Sequence, residues 1–316
     1  MPAARPYEVK MRKYYAPMEG LTDRIYRDIH SRYFPGLDRY YTPFFSPTIH
    51  HALTNKEARE LPPAEENKTC TIPQILTKSP EDFLWMANLC ADRGYTEVNL
   101  NAGCPSGTVT AKGKGAGMLA DIQALDRFLE QVFAHVPLPV SVKTRIGVQS
   151  AEEWPAILDV YNRYPIAQLT VHCRVRKAFY AGSVEEDCFQ FAVKHSKNPL
   201  CYNGDLTCRE EIDRVQKRYP QVNAVMIGRG LIARPDMLCK EKADTQKLIA
   251  FYDELLQSYL VAFGGSRNAM FRLKEHWHYL LPCFAGSEKL GKKLRKTTDL
   301  EEYQTISREI LSLPRI

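Results

Sequence analysis

No run of apolar residues in this 316-residue chain approaches the roughly twenty that a membrane helix needs, so a protein without membrane spans is expected. The start, Met1 to Lys13, is short and basic and lacks the apolar middle of a secretory signal, which points to the cytoplasm. The nine cysteines are an odd number and include no C-x-x-C pair. That spacing argues against a disulfide framework and against a zinc or iron–sulfur cage, so no metal is expected. A G-x-G-x-x-G after the first strand-like segment is missing, which counts against a doubly wound dinucleotide-binding sheet. Repeats, low-complexity tracts and disordered linkers are absent as well.

The length suffices for a large core, either one big α/β domain or a barrel with a smaller appendage, and no partner is needed for folding; a monomer is expected. Formal net charge is +6. A mild basic excess is compatible with a polyanionic partner but is weak by itself. Its distribution says more, because Lys289, Lys292, Lys293, Arg295 and Lys296 form a run without an acid in the tail. Such a run reads as a solvated helix face or as a docking patch for phosphates.

Eight short β-branched or aromatic runs, each followed by a segment of helical periodicity, recur along the first three-quarters of the chain. They cover 13–18, 39–45, 69–76, 97–103, 139–146, 167–174, 199–205 and 224–230. Their succession predicts a closed parallel (β/α)8 barrel, a TIM barrel of the α/β class, over 1–240. From about Lys240 the pattern becomes helical. Apolar residues over 248–263, a break at Gly264-Gly265 and a stripe of Met270, Leu273, Trp277, Leu280, Leu281 and Phe284 predict a small C-terminal helical bundle over 241–316.

In such a barrel the chemistry gathers where strands end. Asn101-Ala102-Gly103-Cys104-Pro105 puts a thiol on a tight turn at one such end, and an ordinary thiol pKa of about 8.5 leaves it protonated, ready to donate. A free Cys is as commonly a small buried hydrophobe, so its company matters. Lys143 with Arg145, His172 with Arg174, and Asn203 with Asp205 close three later strands. Lys143 in an apolar barrel strand is costly unless it faces the mouth and meets an acceptor. His172 and Arg174 share a strand face. Gly228-Arg229-Gly230 after the eighth strand makes an anion site suited to a cofactor phosphate, with Asn203-Gly204-Asp205 beside it. The turn Pro17-Met18-Glu19 and the carboxamide of Gln74 suit a flat ligand whose edge carries donors and acceptors. Gly107, Gly113, Gly115 and Gly117, with Lys112 and Lys114 among them, read as a mobile cationic lid near the thiol. His276 and His278 point different ways on a helix and are set aside as a metal pair.

These residues together resemble the dihydrouridine synthases, FMN enzymes that reduce uridines in tRNA. The resemblance rests on Ala-Pro-Met-Glu-Gly at 16–20, Asn-x-Gly-Cys-Pro at 101–105, Val-Lys-Thr-Arg at 142–145, His-x-Arg at 172–174, Asn-Gly-Asp at 203–205 and Ile-Gly-Arg-Gly at 227–230. In the tail, Arg272-Leu-Lys274 before Trp277 and Leu280 resembles the family's tRNA-docking helical domain. The resemblance implies FMN across the barrel mouth, held by Pro17, Met18, Glu19, Gln74, Lys143, His172, Asn203, Gly204 and Asp205, with its phosphate at Gly228 and Arg229. NADPH or NADH would reduce it, and Cys104 would protonate C5 of an extruded uracil. Asn101, Arg174 and Lys143 would hold that base, while Arg272 and Lys274 would meet the RNA.

The chain departs from the family pattern at Cys173 and Val175, where Gly and Thr are usual, and at Gly117, where Ala is usual. The bulk of Cys173 is expected to change how closely a nucleotide approaches, and its thiol to complicate labelling. Two other readings of the same residues remain: the same chemistry on ribosomal RNA, or a small-molecule flavin reductase acting on free pyrimidines. A third makes the chain an RNA-binding module on an inactive barrel.

Overall fold

Pro73 divides the third predicted strand in two. In the computed structural model, which describes residues 11–316, nine parallel strands form one sheet in the order β3-β2-β1-β9-β8-β7-β6-β5-β4. They are β1 (Arg12–Tyr15), β2 (Arg39–Tyr41), β3 (Thr71–Ile72), β4 (Gln74–Ile75), β5 (Val98–Ala102), β6 (Val140–Arg145), β7 (Leu169–His172), β8 (Leu200–Asn203) and β9 (Ala224–Ile227). Proline has no N–H to give a ladder, so β3 and β4 are one strand interrupted by one residue. Phe45 bridges to Ile75 and closes the ring, its N–H donating to the Gln74 carbonyl at 2.8 Å. The predicted eight-unit barrel is therefore present. Residues 1–10, most of the basic start used above against a secretory signal, lie outside the described residues. Among the described residues no helix is long and apolar enough to cross a membrane.

Register aligns the strand ends. Asn101 lies beside Lys143, Arg145 beside His172, His172 beside Asn203, and Asn203 beside Met226. Side chains two apart on a strand share a face, so the barrel interior is layered. Asn99, Ser141, Thr170 and Cys201 form a fully buried middle layer beneath Gln74, Asn101, Lys143, His172 and Asn203 at the mouth. That middle layer is polar or small where barrels usually carry bulky branched residues.

Helices begin where the sequence offers caps. The side chains of Asp23, Ser79, Asp121, Asp244 and Asp299 each accept a backbone N–H of the first turn. After β9 and the short helix Arg229–Ala233 come four helices, Thr245–Phe263, Ser266–Leu280, Glu288–Lys296 and Leu300–Leu311. Gly264, at φ 64°, ends the first of these in the left-handed conformation. The apolar stripe Met270, Leu273, Trp277 and Leu280 is buried, and Trp277 Nε1 donates to Tyr303 Oη at 2.8 Å.

The tail grips the loop after β1. Asp23 Oδ1 accepts from the Tyr26 amide at 3.0 Å and from Tyr259 Oη at 2.9 Å, with Arg272 Nε 3.7 Å from Oδ2. Arg272 Nη1 donates to the Gly20 carbonyl, and His276 Nε2 lies 2.9 Å from the Leu21 carbonyl. The His276 ring stacks on Tyr26 at 4.9 Å, and burial lowers its pKa to about 4, so it is neutral at physiological pH. Tyr259→Phe takes one of the partners from a buried carboxylate. It is expected to destabilise the protein by about 1–2 kcal/mol and lower Tm by a few degrees, measured by thermal unfolding.

Candidate active site

A cavity of about 740 Å³ opens at the barrel mouth. Pro17, Met18, Glu19, Gln74, Asn101, Cys104, Lys143, His172, Arg174, Asn203, Gly204, Asp205, Gly228 and Arg229 all line it. The sequence places these residues in seven separate segments, and the fold brings them to one cavity. Arg272 and Lys274 are elsewhere. Arg272 anchors the β1 loop as described, and Lys274 Nζ donates at 2.5 Å to the carbonyl of Thr297, the cap of the basic helix.

Cys104 is half-buried and held by its backbone. Asn101 Oδ1 accepts from the amides of Gly103 at 3.1 Å and Cys104 at 2.9 Å, an Asx turn that ends β5. The Cys104 carbonyl in turn accepts from Ala116 at 3.0 Å. Burial raises the thiol pKa, against the opposing pull of the Ser106 amide and the charges of Lys143 and Arg145. At neutral pH the group is a thiol.

The glycine-rich segment expected as a lid packs beneath this turn instead. Gly115, at φ 58°, would put a Cβ 2.9 Å from the Cys104 carbonyl oxygen, and Gly117 would put one 2.7 Å from the Thr110 carbonyl oxygen. An alanine at 117 therefore does not fit this backbone, which accounts for that departure from the family pattern. Lys114 Nζ is tied to Ser46 Oγ at 3.2 Å. Cys173 likewise corrects an expectation. It is fully buried in the core and does not line the cavity, because it points to the opposite side of the chain from its neighbours His172 and Arg174. It neither narrows the nucleotide path nor offers a thiol for labelling.

Three cations are organised by their partners. Arg145, 1 % exposed, spends its donors on the carbonyls of Gly103 (3.0 Å), Val175 (2.9 Å) and Phe179 (2.6 Å), joining the loops after β5 and β7. Arg174 pairs with both oxygens of Asp205, and Arg229 Nη2 reaches Asp205 Oδ1 at 2.7 Å. Burial opposes ionisation of Asp205, but these hydrogen bonds and charges outweigh it and hold its carboxyl below the usual range. Arg174 Nη1 also lies 3.2 Å from His172 Nε2. A guanidinium only donates, so Nε2 accepts and the neutral ring carries its proton on Nδ1. Burial and the charges of Lys143, Arg145, Arg174 and Arg229 push the His172 pKa well below its ordinary value. Lys143, half-buried, has its pKa lowered to about 8 by burial and by Arg145. It is a cation at neutral pH that surrenders its proton earlier than a surface lysine.

Several lining residues escaped the sequence reading. Tyr180 lies between the guanidinium groups of Arg145 (5.4 Å) and Arg229 (4.8 Å) and stacks on His172 at 6.2 Å. Its neighbour Phe179 has φ 48°, a conformation unusual for a side-chain-bearing residue. His278 and Tyr279 reach the cavity from the tail helix Ser266–Leu280 and continue into a second cavity of about 650 Å³ with Glu19, Phe263, Phe271 and Arg272. Their only sequence signal was that they fall off the buried stripe of that helix.

Because burial outweighs the cations around it, alkylation of Cys104 by iodoacetamide, followed by peptide mass spectrometry, is expected to have its half-rate pH above that of an unstructured cysteine peptide. A half-rate pH below the peptide's would mean that the charges dominate.

The family model for dihydrouridine synthase (Dus) matches residues 14–305, nearly the whole described chain. The chain is 29% identical over 230 residues to tRNA-dihydrouridine synthase B of Pasteurella multocida, covering 72% of this chain and 68% of that one. It is 27% identical over 303 residues to a probable tRNA-dihydrouridine synthase of Staphylococcus aureus, covering 92% and 90%. Among solved structures, morphinone reductase superposes with a TM-score of 0.50 at 16% identity, covering 72% of this chain and 84% of that one, which reflects the shared barrel. With the family model spanning barrel and tail alike, the chain belongs to the dihydrouridine synthase family and is an enzyme of that family.

Proposed function

We propose that the protein reduces the C5–C6 bond of a uridine in tRNA to 5,6-dihydrouridine, with FMN as cofactor, NADPH or NADH as the reductant and Cys104 as the acid at C5. The observation that carries this reading is the backbone-clamped, protonated Cys104 thiol at the mouth of a cavity that also holds four cations, Lys143, Arg145, Arg174 and Arg229, against two carboxylates, Glu19 and Asp205.

The donor set fits FMN. Gly228 leaves the main chain bare, since a Cβ there would meet Met18 Sδ at 3.3 Å, and Arg229 beside it supplies a guanidinium for a phosphate. Lys143, the Nδ1–H of His172 and the Gln74 carboxamide offer donors and an acceptor for the edge of a flavin ring. Pro17, Met18, Glu19, Asn203, Gly204 and Asp205 form the walls. The cavity volume, about 740 Å³, lies within the range of cofactor pockets. When bound and reduced, FMN supplies the hydride that adds at C6.

The chain's own groups do the rest. Cys104 delivers its proton to C5 as negative charge builds on the uracil carbonyls, a step that needs a positioned acid. Lys143 and the charge of Arg145 stabilise that developing charge and then the thiolate left behind, since both lower the Cys104 pKa. Asn101 holds the Cys104 turn and Arg174 holds Asp205, and both line the cavity that would take the base. The base must be extruded, because a stacked C5–C6 bond is out of reach.

Residues 241–316 dock the RNA in this reading. All five cations of helix Glu288–Lys296 are exposed, and among the described residues only Lys293 pairs with a carboxylate, Glu302, at 3.1 Å. Lys274 caps that helix and Arg272 fixes the tail to the barrel. Replacing Lys289, Lys292, Arg295 and Lys296 by Ser is expected to raise KM for tRNA and to flatten its dependence on salt, with the rate of flavin reduction by NADPH unchanged. A small-molecule reductase would show no such effect.

The reaction is tested by mass spectrometry of RNA from cells with and without the protein. Loss of dihydrouridine from tRNA is expected. Loss from ribosomal RNA instead would move the substrate, and unchanged dihydrouridine in both would overturn the reading. Purified protein that is yellow and bleaches with NADPH is the accompanying expectation, and a colourless protein would contradict the cofactor.

A further inference from the structure

Behind the mouth, a line of side chains runs through the barrel interior without touching the cavity at its far end. Asn101 Nδ2 donates to Gln74 Oε1 at 2.8 Å, Gln74 Nε2 donates to Asn99 Oδ1 at 2.7 Å, Asn99 Nδ2 donates to Ser141 Oγ at 2.9 Å, and Ser141 Oγ donates to the Val98 carbonyl at 3.4 Å. Asn99 and Ser141 are fully buried. We propose that Asn99, oriented by Ser141, is a positioning residue that sets the amide orientation of Gln74 and Asn101 and thereby the Cys104 turn.

The polarity of this line is dictated from both ends. At the top, Asn101 Oδ1 faces two backbone N–H groups, which can only donate, so its nitrogen must face Gln74. That forces Gln74 to present its oxygen to Asn101 and its nitrogen to Asn99. At the bottom, the Val98 carbonyl can only accept, so Ser141 spends its single hydrogen there and offers a lone pair to Asn99. Both constraints meet at Asn99 and agree: oxygen toward Gln74, nitrogen toward Ser141. Without an acceptor at position 99, Gln74 cannot recover by flipping, because a flip sets its NH2 against that of Asn101. A buried donor left unpaired is costly, so the alternative is a Gln74 without a fixed orientation and a looser Asn101 turn.

The inference rests on the proposed reaction only for its effect on turnover, and its primary readout does not need RNA. Asn99→Asp keeps an oxygen for Gln74 in either protonation state. Asn99→Leu, of similar size, removes it. In the flavin-loaded full-length protein, Asn99→Leu is expected to make alkylation of Cys104 at pH 8 about threefold faster, because a looser turn exposes the thiol and relieves the burial that raises its pKa. The exposed Cys70 provides the internal reference and keeps its rate. Asn99→Asp stays within about 1.5-fold of the parent. Uridine reduction follows the same order, with kcat falling about tenfold in Asn99→Leu and KM for tRNA changing little, as expected for a displaced acid.

Equal alkylation in the parent and Asn99→Leu, or equal damage in Asn99→Asp and Asn99→Leu, overturns the proposal, the second because packing rather than polarity would then be what matters. Should Asn99→Leu fail to fold, Ser141→Ala decides. It leaves Asn99 Nδ2 without its acceptor and is expected to speed Cys104 alkylation in the same direction by a smaller factor, while an unchanged rate overturns the proposal. A shifted alkylation rate in protein that reduces no RNA would leave the relay standing and defeat the proposed reaction instead.

Discussion

One carbonyl oxygen, Asn101 Oδ1, accepts the amide hydrogens of both Gly103 and Cys104, and the thiol's place at the barrel mouth follows from that turn. The constraint is electrostatic as much as geometric. A cavity suited to an anionic cofactor gathers positive charge, and positive charge turns thiols into thiolates. A thiolate has no proton to give. The structure resolves this by half-burying Cys104 and by spending the donors of the nearest guanidinium, Arg145, on three backbone carbonyls, so that burial outweighs attraction. In the proposed reaction the same charges become useful only after the proton has left.

The tail belongs to the site as well as to its surroundings. Helix Ser266–Leu280 sends Arg272 and His276 into the loop after β1, and that loop forms a wall of the cavity through Pro17, Met18 and Glu19. The same helix presents His278 and Tyr279 to the mouth. A rotation of the tail would therefore move a wall of the cavity as well as the basic helix.

Most of the mouth was legible in the sequence because barrels put their reactive groups at strand ends, and the ends of β5 to β9 carry conspicuous polar residues in otherwise apolar runs. Lys143, His172 and Asn203 stand out for that reason. Less visible were features that depend on cross-strand register. Asn99 and Ser141 are unremarkable polar residues until β4, β5 and β6 set them side by side. Tyr180 sits in a loop whose path is fixed by Arg145, and nothing local marks it. Cys173 is next to His172 in sequence but not beside the cavity, because strand alternation turns it to the other side. The glycines at 115 and 117 are ambiguous for another reason. Glycine serves mobility and close approach equally, and only the carbonyls of Cys104 and Thr110 show which applies here.

The central claim is that Cys104 supplies the proton at C5. Its direct test is a single turnover of flavin-reduced protein with tRNA lacking dihydrouridine, comparing the parent with Cys104→Ala after both have been reduced by NADPH. The account predicts equal flavin reduction and a loss of about a hundredfold or more in the rate of flavin reoxidation by tRNA. Reoxidation at the parental rate in Cys104→Ala would contradict it.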